Sequence, residues 1–351
     1  MKLINFLKII LFPFLPFYAV TVKVRNWMFD KGFFKERKVK AAVISVGNLT
    51  VGGSGKTPLV IYLLELLKNQ GFNAGVLSRG YGRTSKGYLL VSDGKEIFTS
   101  VDKCDDEIYQ TVSECGIPGA VSENRAEGAN RFINETGVKV IVLDDAYQHR
   151  WIHRDINLLV IEQKFLLSRN FLVKNLFPTG NLREPLSSVK RADAVIINRK
   201  FSSVENIPED LLVYFEGKKL FVANYKAIGF VDVKRKIDHP LNEFIGQKSL
   251  VVSGIANPHS LLNVLNQNGV NTENRMVFMD HKNYSNKEIQ SIRKKFYNTN
   301  SHSVITTQKD AVKLVKYSKE FDDIDIFYLK IKIEMSDEDS FNKFIIDRIN
   351  L

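Results

Sequence analysis

Apolar runs alternate with amphipathic stretches along most of this chain, and the alternation predicts an α/β fold with a mostly parallel sheet. Short and nearly continuous apolar runs are typical of strands that are covered on both faces. The predicted strands before residue 200 are Ala41–Val46, Asn73–Leu77, Tyr88–Val91, Gly119–Ser122, Val138–Leu143, Asn157–Ile161 and Ala192–Ile197. Helical spacing of apolar residues predicts helices at Thr57–Asn69, Asp106–Glu114 and Asn124–Glu135.

A second unit with the same alternation follows a strand at Leu220–Lys226. Its predicted strands are Ser249–Val252, Arg275–Phe278, Ser303–Thr306 and Ile326–Leu329. Its predicted helices, which alternate with these strands, are Pro258–Gln267, Asn286–Asn298, Asp310–Tyr317 and Asp337–Asn350. The pattern predicts a larger domain at residues 31–226, a hinge of two short strands at 227–247 and a smaller α/β domain at 248–351. Residues 162–190 show little periodicity, and a stretch of that length favours a functional loop.

The N-terminal segment combines apolar residues with basic charge. Leu3–Val22 is almost wholly apolar, and residues 1–40 carry +7 of the chain's net charge of +11. The segment does not fit a cleaved signal peptide, because no small-residue cleavage site follows it. It also fits a membrane span poorly, because a lysine and two prolines interrupt its apolar residues. An interfacial anchor on anionic lipids fits both features, and a buried soluble helix is the plain alternative. We expect residues 1–30 to form an apolar helix that attaches the chain to the cytoplasmic face of a membrane.

Composition excludes several classes of protein. The two cysteines, Cys104 and Cys115, provide neither a disulfide framework nor a zinc site, and they fit a reducing cytosolic compartment. His149 and His153 have the spacing of a metal pair on a helix, but they lack the glutamate of a zinc protease motif. A chain of 351 residues is long enough for two domains.

The strongest chemical signal is a glycine-rich run that follows the first apolar strand and opens a predicted helix. Exposed N–H groups of such a loop and the N-terminus of the helix attract phosphate oxygens. The residues expected to bind a nucleoside triphosphate are Val51, Gly52, Gly53, Ser54, Gly55, Lys56 and Thr57. Lys56 would contact the β- and γ-phosphates and Thr57 would contact Mg²⁺. Thr50 stands where the strict pattern has glycine, and a flexible turn before an ordinary helix is the alternative.

Acidic residues occur at two positions where they could serve phosphoryl transfer. Asp144 and Asp145 end an apolar strand, and carboxylates at that edge of a parallel sheet hold Mg²⁺ beside a phosphate loop. The sequence does not distinguish which of the two contacts the metal, and a solvated acidic turn is the alternative. Asp106 opens a helix, where capping is the default interpretation and a base for a hydroxyl group is the second.

Arginines in three loops favour an anionic substrate. Arg79 stands near Tyr81, and Arg125 and Arg183 stand in two further loops. The planar guanidinium group can bind a phosphate through two hydrogen bonds, although most single loop arginines are merely solvated. Several arginines in loops of one lobe are therefore compatible with an anionic substrate.

In their order and spacing these motifs resemble the tetraacyldisaccharide 4′-kinase family, whose members phosphorylate a lipid A precursor. The matching segments are Val46-Gly47-Asn48, the glycine-rich run, Ser78-Arg79-Gly80-Tyr81-Gly82, Asp106-Glu107, Arg125, Asp144-Asp145, Gln148-His149-Arg150, Leu182-Arg183-Glu184-Pro185, Gly254-Ile255-Ala256-Asn257-Pro258, Asp280-His281 and Lys309-Asp310-Ala311-Val312-Lys313-Leu314. The chain departs from the family pattern at Asp105, Ile108, Ala146, Tyr147, Asn181, Lys282 and Gln308, the last of which replaces Glu.

The resemblance implies a two-lobed P-loop fold that uses ATP and Mg²⁺ at the bacterial inner membrane. The implied acceptor is an acylated glucosamine disaccharide 1-phosphate. The residues implied in catalysis are Lys56, Asp106, His149 and His281, and those implied in metal binding are Thr57, Asp144 and Asp145. The residues implied in substrate binding are Arg79, Tyr81, Arg125, Gln148 and Arg183.

Two other classes of nucleotide-binding protein fit less well. A regulatory GTPase or other membrane-associated switch would carry Asp-x-x-Gly after the metal strand, and no such glycine follows Asp144 or Asp145. In Thr307-Gln308-Lys309-Asp310 the lysine is one place too late for guanine recognition. A nucleic-acid partner would require a basic face across the body of the fold, whereas the positive charge here is concentrated near the N-terminus. We therefore expect no nucleic acid as partner.

Overall fold

The computed structural model describes residues 12–170, 172–280 and 282–349 as a mixed α/β protein. The strands are β1 (Ala42–Gly47), β2 (Ala74–Ser78), β3 (Leu89–Asp93), β4 (Pro118–Val121), β5 (Val140–Leu143), β6 (Ile156–Glu162), β7 (Ala194–Lys200), β8 (Lys219–Asp232), β9 (Asp238–His239), β10 (Lys248–Ser253), β11 (Asn271–Val277), β12 (Ser303–Thr307) and β13 (Ile326–Met335). The helices are α1 (Leu15–Asp30), α2 (Lys56–Asn69), α3 (Val101–Cys104), α4 (Asp106–Cys115), α5 (Arg125–Thr136), α6 (Gln163–Leu167), α7 (Glu209–Leu212), α8 (Pro258–Gln267), α9 (Asn286–Asn298), α10 (Gln308–Leu314) and α11 (Glu338–Ile349). Short 3₁₀ turns lie at Phe12–Phe14, Leu186–Arg191, Val213–Phe215, Leu241–Phe244 and Val315–Tyr317.

The strands of the described chain form one sheet in the order β11-β10-β12-β13-β8-β7-β6-β1-β5-β2-β4-β3, with β9 paired to β8. Neighbouring strands are parallel except at β3–β4, β8–β13 and β8–β9. The predicted mostly parallel sheet is therefore confirmed, and the strands expected before residue 200 match β1 to β7 within a few residues. We call β1–β7 with their helices the first half of the sheet, and β10–β13 with α8–α10 the second half.

Strand β1 lies at the point where the strand order reverses. It pairs on one side with β5 and on the other with β6. The chain passes from β1 to β2 on one side of β1 and later crosses to β6 and β7 on the other. In open α/β sheets, ligands bind in the crevice outside the carboxyl ends of strands at such a switch point. The loop that follows β1 is therefore placed where a ligand is expected.

Helices cover both faces of the sheet, which explains the continuous apolar runs of its strands. Ile44 of β1 packs in a cluster with Leu63 of α2, and the adjacent Val43 packs in another cluster with Phe132 of α5. In the second half, α9 and α10 pack on one face and α8 packs on the other. The last helix, α11, returns to the first half, where Phe341 packs in the cluster that holds α2.

Two long strands, β8 and β13, join the halves of the sheet. The first part of β8 pairs in parallel with β7, and its second part pairs antiparallel with β13. The predicted ends of these strands at Lys226 and Leu329 are wrong, because β8 continues to Asp232 and β13 to Met335. Polar and apolar residues alternate at the end of β13, so no continuous apolar run marks it in the sequence. The apolar residues 227–231 of β8 follow the polar residues Asn224 and Lys226, and the sequence analysis therefore assigned them to the hinge.

The segment predicted as a functional loop, residues 162–190, contains the short helix α6 and a 3₁₀ turn. Its central part runs beside the glycine-rich loop, where the Val51 N–H donates to Asn181 O at 2.7 Å. Thr50 forms an antiparallel bridge with Leu182. Since Thr50 is not among the residues with positive φ, the departure from the strict glycine pattern introduces no backbone strain.

Helix α1 holds the described part of the predicted apolar N-terminal segment, whose first eleven residues lie outside the described residues. Within residues 12–170, 172–280 and 282–349, we find no helix whose length and apolar character suffice to span a bilayer. The inner side of α1 packs on the protein, where Tyr18 Oη donates to Arg183 O at 2.8 Å and Arg25 pairs with the fully buried Glu184.

Candidate active site

The glycine-rich loop between β1 and α2 has the backbone shape that phosphate binding requires. Gly52 and Gly55 have φ values of +98° and +92°, in the left-handed region that favours glycine. A Cβ atom on Gly55 would lie 2.0 Å from Asn198 Nδ2 and 2.1 Å from Tyr225 Oη. Both the dihedral angle and the packing therefore exclude a larger residue at position 55.

Side chains from the end of β7 hold this loop in place. The fully buried Asn198 donates through Nδ2 to Ser54 O at 3.0 Å and to Tyr225 Oη at 3.1 Å. Lys200 Nζ donates to Gly53 O at 2.7 Å. The sequence analysis missed Asn198 and Lys200. Their one signal was their place directly after an apolar strand, at the edge of the sheet where ligands bind.

Lys56, the first residue of α2, meets one of the two acids that follow β5. Its side chain is buried, with Nζ 3.5 Å from Asp145 Oδ1. Arg183 Nη1 donates to both carboxylate oxygens of Asp145, at 3.1 and 2.9 Å. Burial alone would raise the pKa of Asp145, but Lys56 and Arg183 together lower it below its usual value. Asp145 is therefore ionised and already surrounded by two cations.

Asp144 lies in a different environment. Its side chain is buried, and burial together with the nearby Glu107 raises its pKa to about 7, although Lys56 acts in the opposite direction. Its Oδ1 atom has no hydrogen-bond partner within the described residues. A buried carboxylate oxygen without a partner is unfavourable unless a cation neutralises it.

These oxygen donors fit Mg²⁺, which binds to carboxylate, hydroxyl, phosphate and water oxygens. Thr57 lines the cleft beside Asp145, and Asp144 supplies the partnerless oxygen. Across the part of the chain that the structure describes, no group of three or more His, Cys, Asp or Glu side chains could hold a metal by itself. Mg²⁺ does not require such a group, because it usually binds through one or two carboxylates together with substrate phosphates.

Positive charge and a neutral histidine face the same region. Arg125 is buried, and burial lowers its pKa to about 10, so that it stays protonated at neutral pH. Burial, followed by the charges of Arg125 and Arg154, lowers the pKa of His149 to about 3. His149 is therefore an uncharged imidazole at physiological pH, and its Nε2 atom has no hydrogen-bond partner among the described residues.

A cleft of about 1280 Å³ opens at this edge of the sheet and extends between its two halves. All seven predicted loop residues line it, as do His149 and the five predicted substrate-binding residues Arg79, Tyr81, Arg125, Gln148 and Arg183. Tyr81 is 72% exposed, and Gln148 Nε2 donates to Asn48 O at 2.8 Å. The predicted loop and substrate-binding residues lie between Val51 and Arg183, up to 132 positions apart in the sequence, and all of them line this one cleft.

Helix α1 and the second half of the sheet complete the walls of the cleft. Helix α1 contributes Tyr18 and Arg25, and the second half contributes Asn257, Asp280 and Lys309. His281, implied at the reaction centre by the family resemblance, lies outside the described residues.

Asp106 is the second residue of an acidic run at the start of α4. Asp105 is the cap of this helix, since its Oδ1 accepts from the N–H groups of Glu107 and Ile108 at 2.9 and 3.0 Å. The capping role considered for Asp106 therefore belongs to Asp105. Asp106 is 4% exposed and lies 2.6 Å from Lys313 Nζ of α10, while Asp105 and Glu107 line the cleft.

Three comparisons find similarity to kinases of one family. The sequence pattern described as tetraacyldisaccharide-1-P 4′-kinase matches residues 7–350. The tetraacyldisaccharide 4′-kinase of Aquifex aeolicus is 34% identical over 95% of this chain and 97% of that protein. That of Phocaeicola vulgatus is 35% identical over 88% of this chain and 84% of that protein.

The fold is also similar to the crystal structure of the "apo" form of LpxK from Aquifex aeolicus in complex with ATP. The TM-score is 0.78 at 32% identity, and the match covers 98% of this chain and 99% of that one. The similarity therefore extends over both halves of the sheet and beyond the phosphate loop.

Proposed function

The chain belongs to the tetraacyldisaccharide-1-phosphate 4′-kinase family, and we propose that it transfers phosphate in the cleft beside its glycine-rich loop. It is an ATP-dependent tetraacyldisaccharide 4′-kinase of lipid A synthesis. The site assignment rests on one distance. Lys56, at the end of the glycine-rich loop, has its Nζ atom 3.5 Å from Oδ1 of Asp145. A regulatory NTPase switch is not favoured, since the match to the kinases spans nearly the whole chain.

Residues 51–57 bind the phosphates of ATP through backbone N–H groups, with Lys56 on the β- and γ-phosphates. Thr57, Asp144 and Asp145 would hold Mg²⁺, which would supply neutralisation of the charge on the transferring phosphoryl group. The partnerless Oδ1 of Asp144 supports direct contact with the metal through that residue. Asp145 is already paired with Lys56 and Arg183 and orients these two side chains. It would contact the metal or a water molecule bound to the metal.

The reaction is a direct in-line transfer. The 4′-oxygen of the acceptor forms a bond to the γ-phosphorus while the bond between that phosphorus and the β–γ bridging oxygen breaks, and ADP leaves. Asp106 receives the proton of the acceptor hydroxyl. Lys56 stabilises the charge that develops on the phosphoryl oxygens, and the uncharged His149 contributes a hydrogen bond. The family resemblance also implies a role for His281 at this centre, and that residue lies outside the described residues.

The phosphate of the lipid acceptor binds to the arginines of the cleft. Arg79, Arg125 and Arg183 line this cleft, and guanidinium groups bind phosphate through paired hydrogen bonds. The exposed Tyr81 offers an aromatic face to a sugar ring, and Gln148 offers a polar contact beside it.

The molecule works as two lobes, with residues 31–226 as the nucleotide-binding lobe, 227–247 as the hinge and 248–351 as the smaller lobe. Strands β8 and β13 pass between the lobes, and α11 of the smaller lobe anchors back on α2. Closure of the lobes excludes water from the cleft and limits the hydrolysis of ATP.

Helix α1 attaches the kinase to the cytoplasmic face of the bacterial inner membrane, where the lipid acceptor lies. Four apolar residues, spaced as one face of a helix, point to solvent: Phe17, Val20, Val24 and Trp27. The net charge of +7 in residues 1–40 favours anionic lipids beside this face. Since the opposite side of α1 lines the cleft, the helix lies between the membrane surface and the reaction centre.

A direct test of the function uses the purified full chain with γ-labelled ATP and the tetraacyldisaccharide 1-phosphate in detergent. We expect label in the lipid product, dependent on Mg²⁺ and on the acceptor. Loss of ATP without label in the lipid would contradict the proposal and would favour a switch or another ATPase.

The triple substitution Phe17→Ser, Val20→Ser and Val24→Ser should weaken association with vesicles that contain phosphatidylglycerol by about tenfold or more, because each apolar side chain gains roughly 1.5–3 kcal/mol on burial. Association is measured by co-sedimentation. The matched control is the pair Val204→Ser and Val213→Ser, which removes similarly exposed apolar side chains outside α1. Unchanged association of the triple variant would place α1 away from the bilayer.

A further inference from the structure

Near the cleft, helix α4 of the first half of the sheet packs against helix α10 of the second half. Three polar pairs join them: Lys313 with Asp106 at 2.6 Å, Lys309 with Glu107 at 3.2 Å and Gln308 with Glu114 at 2.6 Å. All three cationic or amide groups come from α10, and all three carboxylates come from α4. The two helices are therefore matched in charge along their contact.

The pair of Lys313 and Asp106 differs from the other pairs of this region in its burial. Its side chains are 6% and 4% exposed, whereas the nearby pair of Lys316 and Asp102 has exposures of 35% and 46% and a distance of 3.5 Å. Away from water the attraction between opposite charges is strong, and the removal of one partner leaves an uncompensated charge. The ammonium group of Lys313 is in direct contact with the buried Asp106 and favours the charged form of its carboxyl group.

We propose that Lys313 is a positioning residue for phosphoryl transfer, which keeps Asp106 ionised and oriented when the two lobes are together. The proposal rests on the assignment of Asp106 as the base. Because Lys313 belongs to the second half and Asp106 to the first, the base is ready to accept a proton only when α10 lies against α4. A base that depends on closure in this way would not promote transfer to water in an open cleft.

The other charged groups around Asp106 support this assignment. Burial, and then Glu107, raise the pKa of Asp105 well above its usual value. Burial alone would lower the pKa of Lys309, but Glu107 and then Asp106 raise it above its ordinary value. Lys309 contacts Glu107 directly, and Lys313 contacts Asp106 directly. Cys104, a further titratable neighbour, stays a protonated thiol because burial raises its pKa to about 12. Lys313 also faces Asp310 of its own helix, where burial raises the pKa of the carboxyl group although Lys313 acts in the opposite direction.

The test compares Lys313→Met with Lys316→Met, a control on the turn that follows α10 that removes an exposed lysine paired to the neighbouring helix α3. Lys313→Met should lower kcat at neutral pH by about tenfold or more, because the base is misplaced and more easily protonated, with the KM for ATP nearly unchanged. Removal of the cation disfavours the charged form of Asp106, so the acidic limb of the kcat profile should move to higher pH. Lys316→Met should change neither quantity.

A double-mutant cycle with Asp106→Asn separates this role from a structural one. In the Asp106→Asn background, Lys313→Met should cause no further loss of kcat, since Lys313 acts through Asp106. The same loss in both backgrounds, or an acidic limb that does not move, would overturn the proposal. Near-normal activity of Asp106→Asn itself would instead contradict the assignment of the base.

Misfolding of Lys313→Met is controlled by the double variant Asp106→Asn with Lys313→Met, which removes both buried charges. If Lys313→Met unfolds at a lower temperature, the double variant should recover thermal stability but not activity. Recovery of both by the double variant would show that the pair is only structural.

Discussion

The substitution Asp106→Asn should lower kcat by about 10²- to 10⁴-fold, the range typical for the loss of a general base. The amide keeps the shape of the carboxylate but does not accept the proton of the acceptor hydroxyl. The dissociation constant for ATP, measured by calorimetry, should stay nearly unchanged, because the loop at residues 51–57 binds the phosphates and Asp106 pairs with Lys313. A loss of this kind appears in kcat and not in nucleotide binding.

The matched control is Asp102→Asn, which neutralises an exposed carboxylate in the adjoining helix α3 and should leave kcat unchanged. The loss of Asp106 also leaves Lys313 buried without its partner, at a cost of roughly 3–5 kcal/mol in folding free energy. Rates are therefore compared per folded molecule, as determined by thermal unfolding. A kcat near that of the unchanged protein would move the role of base to Glu107, which lines the cleft beside Asp106.

The first half of the fold could be predicted from sequence because most of its strands are buried on both faces. Burial of both faces requires a continuous apolar run, and such a run is visible in a single sequence. The long strand β13 has no such run at its end, since Lys330 and Lys332 alternate with apolar residues, and the apolar runs of β8 are interrupted by Asn224 and Lys226. Their full length follows from their pairing with each other, which involves residues about 100 positions apart.

The residues of the candidate site also fall into a group that the sequence predicts and a group that it does not. The phosphate loop and the acids after β5 each lie in one short stretch, whose chemistry depends on the order of neighbouring residues, so both can be predicted from the sequence. Asn198 and Tyr225, which hold the loop from behind, come from strands far along the chain. The same is true of Lys313, whose partner Asp106 is on the other half of the sheet. Side chains that act through distant partners carry no local signal.

The N-terminal segment shows how a local pattern can leave two structures open. Its apolar residues are compatible with a helix in the bilayer or on its surface, because both require only that apolar side chains leave water. In the structure, the inner face of α1 is engaged with the protein through Tyr18 and Arg25. A helix that packs on its own protein on one side and exposes apolar residues on the other suits a surface position.

The substitution Lys56→Met should lower kcat at saturating ATP by about 10²- to 10³-fold, the size of effect seen when one preorganised donor to a developing charge is removed. Methionine has a similar length but no ammonium group for the β- and γ-phosphates. Asp145 keeps its contact with Arg183, at 2.9 Å, so the carboxylate is not left without a cation. Activity is measured with labelled ATP, and ATP binding is measured separately by calorimetry.

Two variants make the result specific to position 56. Lys68→Met removes a second lysine of α2, which donates to Cys115 O at 2.7 Å, and it should leave transfer intact. Lys56→Arg keeps the positive charge, but a guanidinium group is larger than an ammonium group. The loop has little room for it, because the adjacent Gly55 has no free space around it. We therefore expect Lys56→Arg to remain strongly impaired. Near-normal kcat for Lys56→Arg would mean that charge alone is sufficient and that the shape of the loop does not position it.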